Sequence, residues 1–143
     1  MNPIEISFIT RIHHIGIATY CIEKTEPFYL ALGYANVARG YDPYQNVYGS
    51  FYTSDNMPTI ELLAPYDENS PINTILKKSG VGPYHICYEV NIPLPDAIQK
   101  MKELKFLQIS KPTISDNLNK RKVVFFFHKD VGIVELVENG ANK

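Results

Sequence analysis

The sequence predicts an α+β fold in which one β-α-β-β-β unit is used twice. Three observations predict it. A strand-like run holding a histidine, His13-His14-Ile15-Gly16-Ile17-Ala18, returns as Tyr84-His85-Ile86-Cys87-Tyr88-Glu89-Val90. A run of the form apolar-Glu-Leu-apolar, Thr59-Ile60-Glu61-Leu62-Leu63, returns as Ile133-Val134-Glu135-Leu136-Val137. His14 precedes Glu61 by 47 positions and His85 precedes Glu135 by 50, so type, order and spacing repeat together. Repetition of this kind marks a unit that stacks on its copy to bury an apolar face.

The segments between the echoes agree with this. Ile22 to Leu32 reads as a helix, with Phe28 and Leu32 four apart on one face and Gly33 as its stop. Pro27 has to sit early in that helix, where its missing N–H matters least. Leu94 to Leu104 reads as the matching helix. Pro95 and Asp96 suit its start, and Ala97, Ile98, Met101 and Leu104 recur at helical spacing. Two further strands follow in each half, about 35–39 with 47–53 and about 107–110 with 122–128. Between the halves, Ser70 and Pro71 open a short helix running to Lys78, and Gly80 and Gly82 close it. The stretches 41–46 and 113–120 read as loops. The second, rich in Ser, Asp, Asn and Lys, reads as a mobile one. The expected organisation is a single domain over 1–143. Module 1 spans about 11–66, a linker helix about 70–80, and module 2 about 82–138.

Bulk properties bound the function. With 143 residues and 45% apolar content, the chain can bury a core of ordinary size. Fourteen basic and fifteen acidic residues leave a net charge of −1, with no basic patch, so neither nucleic acid nor an anionic membrane is an expected partner. No apolar run approaches the ~20 residues that span a bilayer. The first residues lack a basic segment followed by a long apolar one, so a cytoplasmic protein is expected. The two cysteines, Cys21 and Cys87, lie in no CxxC and read as reduced packing residues.

Strand periodicity gives the repeated residues a common facing. Alternate side chains share a face, so Ile12, His14, Gly16 and Ala18 lie opposite His13, Ile15 and Ile17. His85, Cys87 and Glu89 lie opposite Ile86, Tyr88 and Val90. Glu61 lies opposite Ile60 and Leu62, and Glu135 opposite Val134 and Leu136. In all four strands the histidine or glutamate is backed by an aliphatic face that helices can cover. The other face carries small and polar residues, as a pocket does. Two imidazoles and two carboxylates suit one borderline divalent ion, Zn, Ni, Co, Mn or Fe. An octahedral ion so held keeps about two positions for water or substrate. The candidate metal set is therefore His14, Glu61, His85 and Glu135. His13, His128, Glu89 and Glu138 read as peripheral.

These segments resemble the vicinal oxygen chelate (glyoxalase) superfamily, and within it the methylmalonyl-CoA epimerases. The resemblance covers about residues 11 to 138. It includes Phe28-Tyr29 with Leu32-Gly33, Ile60-Glu61-Leu62-Leu63-Ala64-Pro65, Ser70-Pro71-Ile72, Gly82-Pro83-Tyr84-His85-Ile86, and Gly132-Ile133-Val134-Glu135-Leu136-Val137. It implies two βαβββ modules forming a cupped mixed sheet around one divalent metal ion, with His14, Glu61, His85 and Glu135 as ligands. It also implies a homodimer acting on a small molecule such as an acyl-CoA or other acyl thioester, through a metal-stabilised enolate. Glu135 would be one proton-transfer group.

The sequence departs from the epimerase pattern at two points. The second ligand is Glu61, as in many glyoxalases, where epimerases often carry glutamine. The partner glutamate expected on the third strand is missing: Gln45-Asn46-Val47-Tyr48-Gly49-Ser50-Phe51-Tyr52 has Gly49 near that place, and Asp42 and Asp55 fall in flanking loops. Removing a positioned base costs about two to four orders of magnitude in rate. Either another group such as Tyr48 or Tyr52 stands in, or the reaction differs. Three functions follow: an epimerase-like isomerase on an acyl thioester, a glyoxalase I-type lyase or biosynthetic isomerase, and a non-catalytic small-molecule binding protein. Deuterium exchange, turnover of a glutathione hemithioacetal and metal content separate them.

Overall fold

The first unit contains β1 (Ile9–Ala18), α1 (Ile22–Ala31), β2 (Ala35–Asp42), β3 (Val47–Ser54) and β4 (Met57–Pro65). α2 (Ile72–Ser79) leads to the second: β5 (Gly82–Val90), α3 (Leu94–Glu103), β6 (Leu107–Gln108), β7 (Thr113–Ser115), β8 (Arg121–His128) and β9 (Gly132–Val137). A 3-10 turn, Asp116–Leu118, lies between β7 and β8. This is a computed structural model, and it describes residues 7–140.

All the strands join one sheet in the order β2-β3-β4-β1-β5-β9-β8-β6, with β7 also on β8. Read outward from the β1–β5 seam, the halves mirror each other. β1 pairs parallel with β4 and β5 parallel with β9, while β1 and β5 run antiparallel. The four central strands are therefore those that carry His14, Glu61, His85 and Glu135.

The aliphatic faces behave as the alternation requires. Leu94, Ala97 and Met101 of α3 pack on Val90, Val124, Phe126, Val134 and Leu136. Fully burying a side chain of this size stabilises by about 1.5–3 kcal/mol, so this layer is a principal source of stability. α1 covers the equivalent face of the first half, against Ile17, Tyr52, Ile60, Leu62 and Ala64. It does so through Ile22 and Tyr29, not through the Phe28/Leu32 face: those two are 71% and 65% exposed. α2 lies at one end of the opposite face, with Ile72 and Leu76 on Ala18, Val47 and Leu63. Its first turn is closed by Ser70 Oγ, which accepts from the Ile72 N–H at 3.4 Å.

Both expected loops are shorter than their composition implies. β2 runs on to Asp42, and Asp42 Oδ1 then accepts from the N–H groups of Tyr44 (2.9 Å) and Gln45 (3.2 Å). That Asx-type turn confines the loop to residues 43–46. The stretch 113–120 is not a loop without structure of its own. β7 pairs with β8, and Leu118 is buried among Phe51, Cys87, Val123 and Val137. One apolar anchor inside a polar run is invisible to periodicity. The turn closes through Asn119 (φ 58°) and Lys120 (φ 63°), with Lys120 N–H donating to the Ser115 carbonyl. No helix among the described residues is long and apolar enough to cross a membrane.

Candidate metal centre

Strand register brings the four candidates together. Gly16 of β1 stands level with Glu61 of β4 on one side and His85 of β5 on the other. Cys87 of β5 stands level with His14 of β1 and Glu135 of β9. Gly16 and Cys87 thus fill equivalent places two residues after each histidine. Side chains level across a ladder share a face, so all four ligand candidates project from the same side of the sheet.

Their donor atoms converge. His14 Nε2 lies 3.2 Å from Glu61 Oε1 and 3.2 Å from Glu135 Oε1, and His85 Nε2 lies 3.0 Å from Glu135 Oε1. One donor atom from each residue lies within 4.8 Å of all the others. Ligands opposite each other on an ion with bonds of about 2.1 Å are about 4.2 Å apart, so the set has the right size. His14 Nε2 is fully buried yet makes no aligned hydrogen bond, although two carboxylates are close. A buried imidazole nitrogen 3.2 Å from two carboxylate oxygens and hydrogen-bonded to neither marks a place that a bound cation can fill. The donor set and this orphaned nitrogen fit a divalent ion.

The site's electrostatics are strongly coupled. Burial opposes charge on His14, but the Glu135 and Glu61 carboxylates close beside it outweigh burial and raise its pKa from 6.5 to about 9. Burial likewise opposes ionisation of Glu135, yet His14 and His85 hold its carboxyl at about 2. For Glu61 burial wins and its pKa rises, with His14 opposing. Dense carboxylates in a dry pocket bind protons or metal more readily than they stay bare.

Several residues that shape the site escaped the sequence reading. A β-carbon on Gly16 would lie 2.0 Å from His85 Cε1, so only glycine lets the His85 ring lie across β1. Phe51 packs edge-on to His14 with centroids 4.9 Å apart, and Phe125 does the same to His85 at 5.3 Å. Each phenylalanine pairs in the ladder with the glutamate ten positions ahead of it, Glu61 or Glu135. That equal offset was a readable signal. A cavity adjoins the ligands and is lined by Asp42, Gln45, Gly49, Asn117, Glu61 and Glu135, among others. Asp42, placed in a flanking loop by sequence, is on its wall. Burial raises the Asp42 pKa first, with charge from Glu135 and Asp116 adding to it. Asp55, Tyr48 and Tyr52 do not line this cavity. Tyr52 is buried on the helix side, with its hydroxyl donating to Glu26 at 2.5 Å.

The peripheral readings divide. The β1–β5 register shifts between Ile12 and His14, so Ile12 lies on the helix-covered face, opposite to His14. The bulge also brings His13 beside the site: its Nδ1 lies 2.9 Å from His14 Nδ1, and Arg121 donates to its Nε2 at 3.0 Å. Burial first, then His14 and Arg121, push the His13 pKa down to about 3. His13, His14 and Cys87 also cluster closely enough to hold a cation, but the Arg121 guanidinium beside them opposes one. Cys87 is buried and unpaired, as a packing residue is. Glu89 is buried and paired with Arg11 at 3.0 Å.

A mirrored sheet of two β-α-β-β-β halves, the second with the short extra strand β7, and with two histidines and two glutamates converging at its seam, defines a class of paired-module proteins able to hold a divalent ion. Residues 13–137 match the family model of the Glyoxalase/Bleomycin resistance protein/Dioxygenase superfamily, and the chain belongs to that superfamily. It is similar to an ethylmalonyl-CoA/methylmalonyl-CoA epimerase of Cereibacter sphaeroides: 35% identity over 134 residues, 90% of this chain and 97% of that one. It is also similar to an uncharacterised protein, YqjC, of Bacillus subtilis, with 28% identity covering 91% of this chain and 93% of the other. Among solved structures, a single-substitution variant of Streptomyces coelicolor methylmalonyl-CoA epimerase in complex with 2-nitronate-propionyl-CoA superposes with a TM-score of 0.78 at 27% identity. The match covers 93% of this chain and 96% of that chain.

Proposed function

We propose that the protein moves a proton at the α-carbon of a small acyl thioester, as a methylmalonyl-CoA epimerase does, with one divalent ion held by His14, Glu61, His85 and Glu135. The observation that carries this reading is the convergence of those four donors around a buried, unpartnered His14 Nε2. The likeness to epimerases over nine-tenths of the chain supports the substrate class. A bound ion would supply positive charge beside the thioester oxygen, on which negative charge builds as the α-proton leaves.

The chain's own residues do the rest. Phe51 and Phe125 flank the histidine rings and keep water from their sides. The Glu135 carboxylate, ionised over the whole neutral range, takes the proton on one face of the α-carbon. The opposite face needs a second group, and Gly49 offers no side chain. The second oxygen of Glu61 occupies that space: a β-carbon on Gly49 would lie 2.7 Å from Glu61 Oε2. Glu61 Oε1 faces His14, which leaves Oε2 to exchange a proton on the second face. Glutamate at 61 and glycine at 49 therefore read as a compensating pair.

The test is proton–deuterium exchange at C2 of methylmalonyl-CoA in D2O with Co(II)- or Ni(II)-loaded protein. Exchange well above the protein-free rate is expected; none above background rejects the assignment. Glu61, in place of a glutamine, favours one second reading, a glyoxalase I-type lyase or related isomerase on the same metal set. Turnover of the methylglyoxal–glutathione hemithioacetal distinguishes it. A homodimer belongs to the proposal through the superfamily resemblance, and sedimentation equilibrium tests it.

A further inference from the structure

Gly40 of β2 and Gly49 of β3 are direct partners in the β2–β3 ladder. Their neighbours along the same face, Ala38 with Phe51 and Asp42 with Val47, all carry side chains. Two facing glycines leave a notch in the cup wall beside Glu61. Asn117, on the 3-10 turn of the second module, fills it. Its Nδ2 donates to the Gly49 carbonyl at 3.3 Å. A β-carbon on Gly40 would lie 3.1 Å from Asn117 Oδ1, and one on Gly49 would lie 3.4 Å from Nδ2. The neighbouring Leu118 is buried, and Arg121 donates to its carbonyl at 3.1 Å, so the turn that presents Asn117 is anchored.

The orientation of the amide follows from chemistry. A carbonyl oxygen only accepts, so the nitrogen must be the atom beside Gly49. Nδ2 has a second proton, and both Nδ2 and Glu61 Oε2 border the space above Gly49. The charged groups lining this cavity are Glu61, Glu135, Asp42, Asp116 and Arg39. Arg39 is already engaged by Glu26, Ser50 and Tyr52. An anionic substrate oxygen entering here meets carboxylates, and Asn117 offers it a neutral donor anchored close to Glu61.

We propose that Asn117 is a specificity-determining residue whose Nδ2–H donates to a carboxylate oxygen carried next to the reacting carbon, so that the site prefers 2-carboxyacyl thioesters to simple acyl thioesters. This rests on the reading of the protein as acting on acyl thioesters. The cross-strand glycines are what admit the amide to this place.

The experiment measures equilibrium binding of methylmalonyl-CoA and of propionyl-CoA, which lacks only the carboxylate, to Co(II)-loaded protein by calorimetry. The wild type is expected to prefer methylmalonyl-CoA. Asn117→Ala should reduce that preference by about tenfold, the scale of a lost hydrogen bond to a charged group, and the isosteric Asn117→Asp by more. Gly40→Ala, which displaces the amide without removing its donor, should shift the ratio the same way by less. Equal weakening of both ligands, or an unchanged ratio in N117D, overturns the role of Asn117 and leaves the thioester reading standing. Failure of the wild type to bind either thioester removes both.

Discussion

Glu61→Gln, alone and combined with Gly49→Glu, tests the compensating pair. The amide that Glu61→Gln introduces keeps an oxygen able to face a metal ion but cannot take up a proton. Loss of a positioned base costs about two to four orders of magnitude, or about 2.7–5.4 kcal/mol at 1.36 kcal/mol per factor of ten. Gly49→Glu alone should also be poor. Its β-carbon would fall 2.7 Å from Glu61 Oε2, well inside ordinary contact. It would also set a second carboxylate beside Glu61, and two unit charges about 4 Å apart repel by about 4 kcal/mol at an effective dielectric of 20. The double variant Gly49→Glu/Glu61→Gln removes the charge repulsion, and the uncharged amide is free to turn away from the new side chain, so much of the activity should return. The assay follows deuterium uptake at C2 from each methylmalonyl-CoA epimer separately, with metal content measured on the same samples. E61Q should lose exchange from one epimer far more than from the other while retaining metal. Exchange from both epimers within threefold of wild type in metal-replete E61Q would refute the reasoning, as would a double variant no better than either single one.

Three further outcomes are expected. Protein purified without chelator should contain about one equivalent of a divalent ion, and a hundredfold excess over Kd should stabilise it by about 2.7 kcal/mol, seen as a rise in Tm that EDTA reverses; less than a tenth of an equivalent and no Tm shift would remove the metal centre. In metal-free protein, the His14 pKa is raised to about 9 from 6.5, so its contribution to stability is complete below pH 6.5 and fades as pH rises through 9. Melting in chelator at pH 6.5 and 9.5 checks the sign. Gly16→Ala should displace the His85 ring, whose Cε1 lies 2.0 Å from the added methyl, and weaken metal binding by tenfold to a hundredfold, a scale typical of losing support around a ligand; unchanged affinity by competition titration would show that the ring has another way to reach the site.

The sequence by itself determined the repeat, and with it the order of elements along the chain and the facing of His14, Glu61, His85 and Glu135. Hydrophobic alternation and helical spacing are local properties, and a duplicated unit states each of them twice. α3 was readable because its apolar spacing matches the face it buries. α1 was readable as a helix but its buried face was not, since Phe28 and Leu32 have the right spacing but no sheet beneath them. Equally, nothing local marks the bulge that turns Ile12 away from His14 and brings His13 in. The tertiary structure alone decided what stands across the sheet from what. Gly16 makes room for His85, Glu61 reaches into the space above Gly49, and Asn117 enters from a turn that composition marked only as a loop. Each of these depends on register between strands distant in sequence, where a missing side chain on one strand becomes space for an atom of another.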